Sequence, residues 1–391
     1  MTWRVARAIS SGAFLCIATS LVAATTAVTA TTVVVNGVIT SAASPAKRLD
    51  PPHRSFSLIA TGDVLTESPV TINAAVAAAS GARFDFAPLF APITTMLSDA
   101  DIAICHMEMP IGAPGARPGV YGRSPFGGNL ILAPYEIAAG LRRAGFDRCS
   151  TASNHSYDLA ESGIESTLAA LDAVGISHVG TARYPAESGL DLVTVNGVRL
   201  AHLAYTRYSN TVLSPDPWRV NFAASPAQVA ADVTAARAAG AEVVVVSLHL
   251  SKELSPVPAP EDRQFVTELT ALARIDLIVE HGPHVIQPVE RVNGTWVYWS
   301  VGNFIAGMGT PSSGKYSDLR TLDGLAATAR FTETTPGSFT VEPWSVLLCT
   351  EPFTRAVYAA ITALDGQLSA LVRSEMDACL DRSRPVVPTV H

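Results

Sequence analysis

Residues 242–250 read EVVVVSLHL, four consecutive valines followed by serine, leucine and histidine. An unbroken β-branched run with no polar alternation fits a strand covered on both faces. A strand of that kind needs helices or a second sheet on either side of it. His249 closes the run, at a position that would ordinarily hold Val or Ile.

The remainder of the chain repeats the theme. FSLIATGDVL, DADIAICHMEMP, FDRCSTASNH, ISHVGT and IDLIVEHGPH are short apolar runs that read as strands. Helical stretches stand between them: one through about Leu97, then PYEIAAGLRRAG, LAESGIESTLAALDAVG, SPAQVAADVTAARAAG with Ser225 as N-cap and Gly240 as stop, and APEDRQFVTELTALARI. Asn196-Gly197 and Asn293-Gly294 each sit between two β runs and predict tight hairpins. LAATARFTETTPGSFTVEPWSVLL predicts a third hairpin, and a helix through about Arg373 closes the domain. Strand–helix alternation predicts parallel-leaning sheets; helices flanking two β layers in one α/β domain over 55–385 fit this order.

The N-terminus reads differently. Arg4 and Arg7 precede an apolar, small-residue run over 9–30, and no further charge appears until Lys47. This is a signal-peptide pattern, with Val28-Thr29-Ala30 offering small residues for cleavage; left uncut, the run is long enough to anchor the chain in a membrane. Phe14 and Leu15 before Cys16 do not make a lipobox. Residues 31–54 read as a Pro-rich linker. The expected location is outside the cytoplasm, either secreted or on the outer face of the membrane. The net charge of −7 without a basic cluster argues against nucleic acid as a partner.

Beyond residue 30 the cysteines are Cys105, Cys149, Cys349 and Cys379. In an exported chain they allow two disulfides in three pairings, and sequence neighbourhood favours Cys105 with Cys149 and Cys349 with Cys379. Free buried thiols are the alternative.

Asp63, Glu108, Asn154-His155, His249, and His281 with His284 all follow apolar runs and precede loops. Side chains at strand C-terminal ends converge on one crevice in an α/β sheet. Carboxylate and amide oxygens with imidazole nitrogens suit Mn, Fe or Zn, and two such ions roughly 3.5–4 Å apart form hydrolytic centres. Each residue also has an ordinary role: a turn residue for Asp63, a solvated strand end for Glu108, a helix N-cap for Asn154. His106, two residues before Glu108, shares its face and reads as an outer neighbour rather than a ligand. His178 and His202 read as satisfied strand residues; His53 lies in the linker and His391 is terminal.

GDVL at 62–65, MEMP at 107–110, SNHSYD at 153–158, HLSKE at 249–253, EHGPHVIQ at 280–287 and YWSVGNF at 298–304 together resemble the ordered motifs of the CapA family of poly-γ-glutamate capsule synthesis proteins. That family belongs to the calcineurin-like metallophosphoesterases. The resemblance implies a four-layer α-β-β-α sandwich and two divalent ions held by Asp63, Glu108, Asn154, His249, His281 and His284, with Glu108 bridging. It implies His155 as the catalytic acid, oriented by Asp158. Two departures stand out. Leu65 occupies the place of a superfamily histidine, for which Glu67 is a candidate substitute ligand, and the segment after His249 lacks the family's tryptophan and glycine.

Two functions follow. One is a metal-dependent hydrolase of a phosphoester, or of a related ester or amide, in an envelope polymer pathway. The other is a non-catalytic protein that tethers an anionic polymer, alongside other capsule-synthesis membrane proteins. A glycosidase built on Asp63 and Glu108 would leave the histidines without a role.

Overall fold

The computed structural model describes residues 53–250 and 252–387. The signal or anchor segment, nearly all of the linker and His391 lie outside these residues. Among the described residues no helix is long and apolar enough to cross a membrane.

The strands, in chain order, are β1 (Ser55–Val64), β2 (Ile102–Met107), β3 (Gly119–Arg123), β4 (Asn129–Leu132), β5 (Arg148–Ser150), β6 (Ser177–Val179), β7 (Leu192–Val195) and β8 (Val198–Thr206). They continue with β9 (Val243–His249), β10 (Leu277–His281), β11 (Val289–Val292), β12 (Thr295–Tyr298), β13 (Asn303–Ile305), β14 (Asp323–Thr335), β15 (Ser338–Thr350) and β16 (Val357–Ala359). One sheet runs β16-β15-β14-β1-β2-β5-β6, with β13 joined to the end of β1; a second runs β11-β12-β10-β9-β8-β7. In the first, β1, β2, β5 and β6 are parallel; in the second, β8, β9, β10 and β12 are. The antiparallel edges β7 and β11 come from the two Asn-Gly hairpins, whose central residues have positive φ (48° and 75°, 47° and 91°), as a twist-matched two-residue turn requires.

The valine run shows why the sheets stack. Side chains alternate along a strand. Val243 and Val245 therefore enter the core between the sheets, with Leu277 and Val279 beside them and Leu58, Ala60, Ile102 and Ile104 facing them. Val244, Val246 and Ile278 turn outward onto Val229, Val233 and Phe265 of the helices Pro226–Ala238 and Pro260–Leu272. On the opposite side Ile59, Ala103 and Cys105 pack on Phe86, Phe90, Ile137 and Leu141. The result is helix, sheet, sheet, helix in four layers, as the sequence implied.

Three local features differ from the sequence reading. The stretch before Leu97 is broken into helices Ser68–Ala77, Ala87–Phe90 and Thr94–Ser98, with Pro69 and Pro88 in first turns where a missing N–H costs nothing. The closing helix does not end near Arg373: Ala360–Leu364 stops, and a new helix, Ala370–Ser383, starts at Ser369, whose hydroxyl accepts the Val372 N–H. It buries Met376, Cys379 and Leu380 in the core between the sheets. A hairpin, β3–β4, stands apart from both sheets; its strands are largely exposed and carry no burial alternation.

Disulfides join Cys105 to Cys149 and Cys349 to Cys379. The first links directly opposed residues of neighbouring β2 and β5. Arg54 is tied into the domain by ion pairs with Glu242 and Glu333.

Candidate metal centre

The alternation that builds the core also builds the site. Leu277, Val279 and His281 share a face, as do Val243, Val245, Ser247 and His249, and Ile102, Ile104 and His106. At the C-terminal ends of the strands the facing apolar side chains give way to facing histidines. Strand register brings His249 beside His281 in one sheet, and Asp63 beside His106 and Asn303 in the other.

Loop geometry completes the arrangement. Gly282 has φ of 104°, and a Cβ there would sit 2.2 Å from the Leu250 carbonyl oxygen and 3.0 Å from His249 Nε2. Only glycine lets the chain turn so close to the imidazole. His284 also takes a left-handed conformation, φ 60°, which costs a non-glycine residue energy and is held here by its contacts. Its Nδ1 lies 3.1 Å from Asp63 Oδ2 and 3.1 Å from Asn303 Oδ1.

Two groups of potential ligand atoms result, Asp63 with His106 and His249, and Asp63 with Glu108 and His284. Asp63 is common to both; Glu108, the bridge implied by resemblance, stands in one. Both Glu108 carboxylate oxygens, together with Asp63 Oδ1, Asn154 Oδ1 and His281 Nδ1, are buried with no hydrogen-bond partner. Buried polar atoms are almost always satisfied. Five unsatisfied atoms of metal-ligating types gathered in one crevice fit divalent cations, and the donor set suits Mn, Fe or Zn.

The buried groups shift one another strongly and in both directions. Burial alone would raise the Asp63 carboxyl, but His281, 3.5 Å away, and His284, 3.1 Å away, outweigh it and hold the group well below its usual range. Burial, then the Asp63 charge, pushes Glu108 well above the carboxylate range. Burial drives His249 down to about 3 and His106 well below normal, leaving both neutral, the form in which imidazole ligates. His284 goes the other way: burial lowers it, but Glu108 and Asp63 raise it to about 10.

His155 sits beside the centre. Its Nδ1 is 2.6 Å from Asp158 Oδ2, and the Asn210 amide approaches its ring nitrogens at 3.0 and 3.3 Å. Asn154 does not cap a helix: the next one begins at Ala160 behind Leu159. Its side-chain amide points to Asn210 Oδ1 at 3.4 Å. Ser153 Oγ donates to the Glu108 carbonyl, tying these two segments together. Glu67 belongs to neither ligand group; its Oε2 accepts the Gly307 N–H at 2.6 Å. Leu65 is buried in the apolar core.

A cleft of about 810 Å³ opens over Glu108, Asn154, His155 and His284, walled by the β3–β4 hairpin (Arg123, Phe126, Asn129) and by Lys315 and Tyr316. Outside it, His202 is satisfied by Arg148 and Ser247, and His178 by Asp172. The sequence reading placed His106 as an outer neighbour and did not single out Asn210 or Asn303, although each stands in a stretch that shares the family likeness, AYTRYSN at 204–210 and YWSVGNF at 298–304.

A family model described as bacterial capsule synthesis protein PGA_cap matches residues 57–308. The chain belongs to the PGA_cap family. All the ligand candidates of this PGA_cap chain fall within the matched stretch. Similar curated proteins include the PGA biosynthesis protein CapA of Bacillus subtilis, 27% identical over 208 residues (52% of this chain, 52% of that one). The capsule biosynthesis protein CapA of Bacillus anthracis is 25% identical over 184 residues (46% and 44%). A probable polyglutamine synthesis accessory protein of Mycobacterium tuberculosis is 29% identical over 191 residues (44% and 49%). The matches span about half the length of these relatives. Among solved structures, calcineurin-like phosphoesterase YfkN from Bacillus subtilis aligns with TM-score 0.44 and 13% identity over 85% of this chain and 100% of that one.

Proposed function

We propose that this PGA_cap protein is an exported metal-dependent hydrolase acting in the synthesis of an anionic envelope polymer of the poly-γ-glutamate type. The observation that carries this reading is the set of buried, unsatisfied ligand atoms on Asp63, Glu108, Asn154 and His281, lying beside a histidine–carboxylate pair. The capsule and polyglutamine roles named for its relatives support the polymer. The two disulfides support an oxidising compartment.

Divalent ions held there would supply a Lewis acid and a water of lowered pKa. The chain's own residues do the rest. Asp158 Oδ2 accepts a 2.6 Å hydrogen bond from His155 Nδ1–H, which fixes the tautomer and the ring plane. In the protonated ring Nε2 carries a proton that it can pass to a leaving oxygen or nitrogen as general acid. Exposed Arg123 on the cleft wall supports binding of an anionic phosphoester or polyamide.

A second reading, a non-catalytic polymer tether, draws on Leu65, an apolar residue where the resemblance calls for an imidazole. Elemental analysis of the full chain beside a His249→Ala/His281→Ala variant, with phosphodiester, phosphomonoester and poly-γ-glutamate hydrolysis assayed in added Mn, separates the two. About two metal equivalents in the wild type, lost in the variant, with turnover of one substrate class, is the expected result. Metal uptake without turnover of any substrate favours the tether, and no metal uptake overturns both metal-based readings.

A further inference from the structure

His106 is fully buried. Its Nε2 lies 3.1 Å from His249 Nδ1 and 4.0 Å from Asp63 Oδ1. Its other nitrogen is 3.0 Å from Ser150 Oγ, and its ring stacks on His281 with centroids 4.0 Å apart and planes 14° apart.

We propose that His106 is itself a metal ligand, completing with Asp63 and His249 a three-donor site for one divalent ion; this rests on the metal-centre reading above. Two nitrogens bound to one ion at about 2.0–2.1 Å each stand roughly 3.3 Å apart in tetrahedral geometry. The 3.1 Å separation of the His106 and His249 nitrogens is of that size. His106 Nε2 stands 4.0 Å from Asp63 Oδ1, and one ligand atom from each of the three residues lies within 4.8 Å of the others. Ser150 engages the far nitrogen, as outer partners of ligating histidines do; with its hydroxyl accepting from Nδ1–H, Nε2 presents its lone pair. Neighbouring Cys105 and Cys149 are disulfide-linked, clamping the two strands that carry His106 and Ser150. The site therefore gains an imidazole from β2, on the strand next to the one that carries Asp63.

The alternative is that His106 only hydrogen-bonds His249 and orients it. The full chain is stripped with a chelator and titrated with Co(II), comparing wild type, His106→Asn and Ser150→Ala by calorimetry and visible absorption. A ligand role gives His106→Asn one equivalent fewer than wild type and an altered Co(II) spectrum. Ser150→Ala keeps the stoichiometry and loses roughly 10-fold in affinity. If His106→Asn keeps the wild-type stoichiometry and Co(II) spectrum, the proposal is overturned while the metal centre stands. A wild type that takes up no Co(II) overturns both. Near-UV circular dichroism of the metal-free proteins checks folding. Should His106→Asn not fold, the wild type decides alone. Its Co(II) form shows hyperfine-shifted exchangeable imidazole protons from His106 as well as His249, His281 and His284, and absence of the His106 signal overturns the proposal.

Discussion

Oδ2 of Asp158 accepts two hydrogen bonds, one from His155 Nδ1 at 2.6 Å and one from the backbone N–H of Ile131 at 2.8 Å. Ile131 lies on β4, so the hairpin that walls the cleft also positions the carboxylate that orients the histidine. With His155 as general acid, His155→Ala lowers kcat by roughly 10²–10⁴-fold, while Asp158→Asn lowers it less and leaves metal content unchanged. Steady-state kinetics beside elemental analysis checks this. An unchanged kcat in His155→Ala removes the residue from the chemistry.

The hairpin brings Arg123 to the cleft, exposed and without an acidic partner among the described residues. An exposed charge of this kind contributes on the order of 1 kcal/mol, roughly 5-fold in affinity. Arg123→Ala is expected to raise KM for an anionic substrate by about that factor at low salt, with little change in kcat. The difference should fade as ionic strength rises. Salt titration of both proteins tests it, and equal KM values at low salt would remove Arg123 from substrate binding.

The two disulfides have separable roles. Cys349–Cys379 ties β15 to the closing helix across 30 residues, and neither cysteine neighbours a candidate ligand in sequence. Replacing both cysteines with serine should cost about 3–4 kcal/mol in urea unfolding and leave metal affinity intact. Cys105 and Cys149 adjoin His106 and Ser150, so their double replacement should weaken metal binding as well as stability. Isothermal titration of the two double variants distinguishes these outcomes.

Asp262 supplies a pH test at a residue outside the candidate ligand groups. Burial, opposed by Arg207 and aided by Glu261, lifts its carboxyl to about 6. Below about pH 4 the folded and unfolded states both hold the proton. As pH rises towards 6 the unfolded chain releases it first, so the folded state loses relative stability and then levels off. Asp262→Asn, which keeps an acceptor 3.2 Å from Arg207, should match wild type near pH 4 and exceed it by about 1–3 kcal/mol at pH 8. Urea unfolding at both pH values measures the difference; equal stabilities at pH 8 would refute it.

Strand-end residues were legible in the sequence because period-2 alternation is local. Once the valine run is read as a strand buried on both faces, His249 follows as an inward residue, and the same rule put His106 on the face of Glu108, as an outer neighbour of the site. Asp63, Glu108 and His281 were legible for that reason, and Gly282 and His284 because a tight loop leaves its own signature. The helix boundaries were less so: Pro69, Pro88 and Ser369 set starts that apolar periodicity alone does not mark.

What the chain determined by itself is therefore the strands, their inward faces, the hairpin turns and the kinds of ligand at each strand end. Tertiary structure decided which of those ends meet. Strand register sets Asp63 against His106 in the same sheet, and the stacking of two sheets sets it against His284, 221 residues further along the chain. They left five ligand-type atoms buried without partners and brought Asn210, from a loop, and Asn303, at the start of β13, to the site. Pairing between distant strands depends on the shared burial of two sheet faces, a property that no single segment carries.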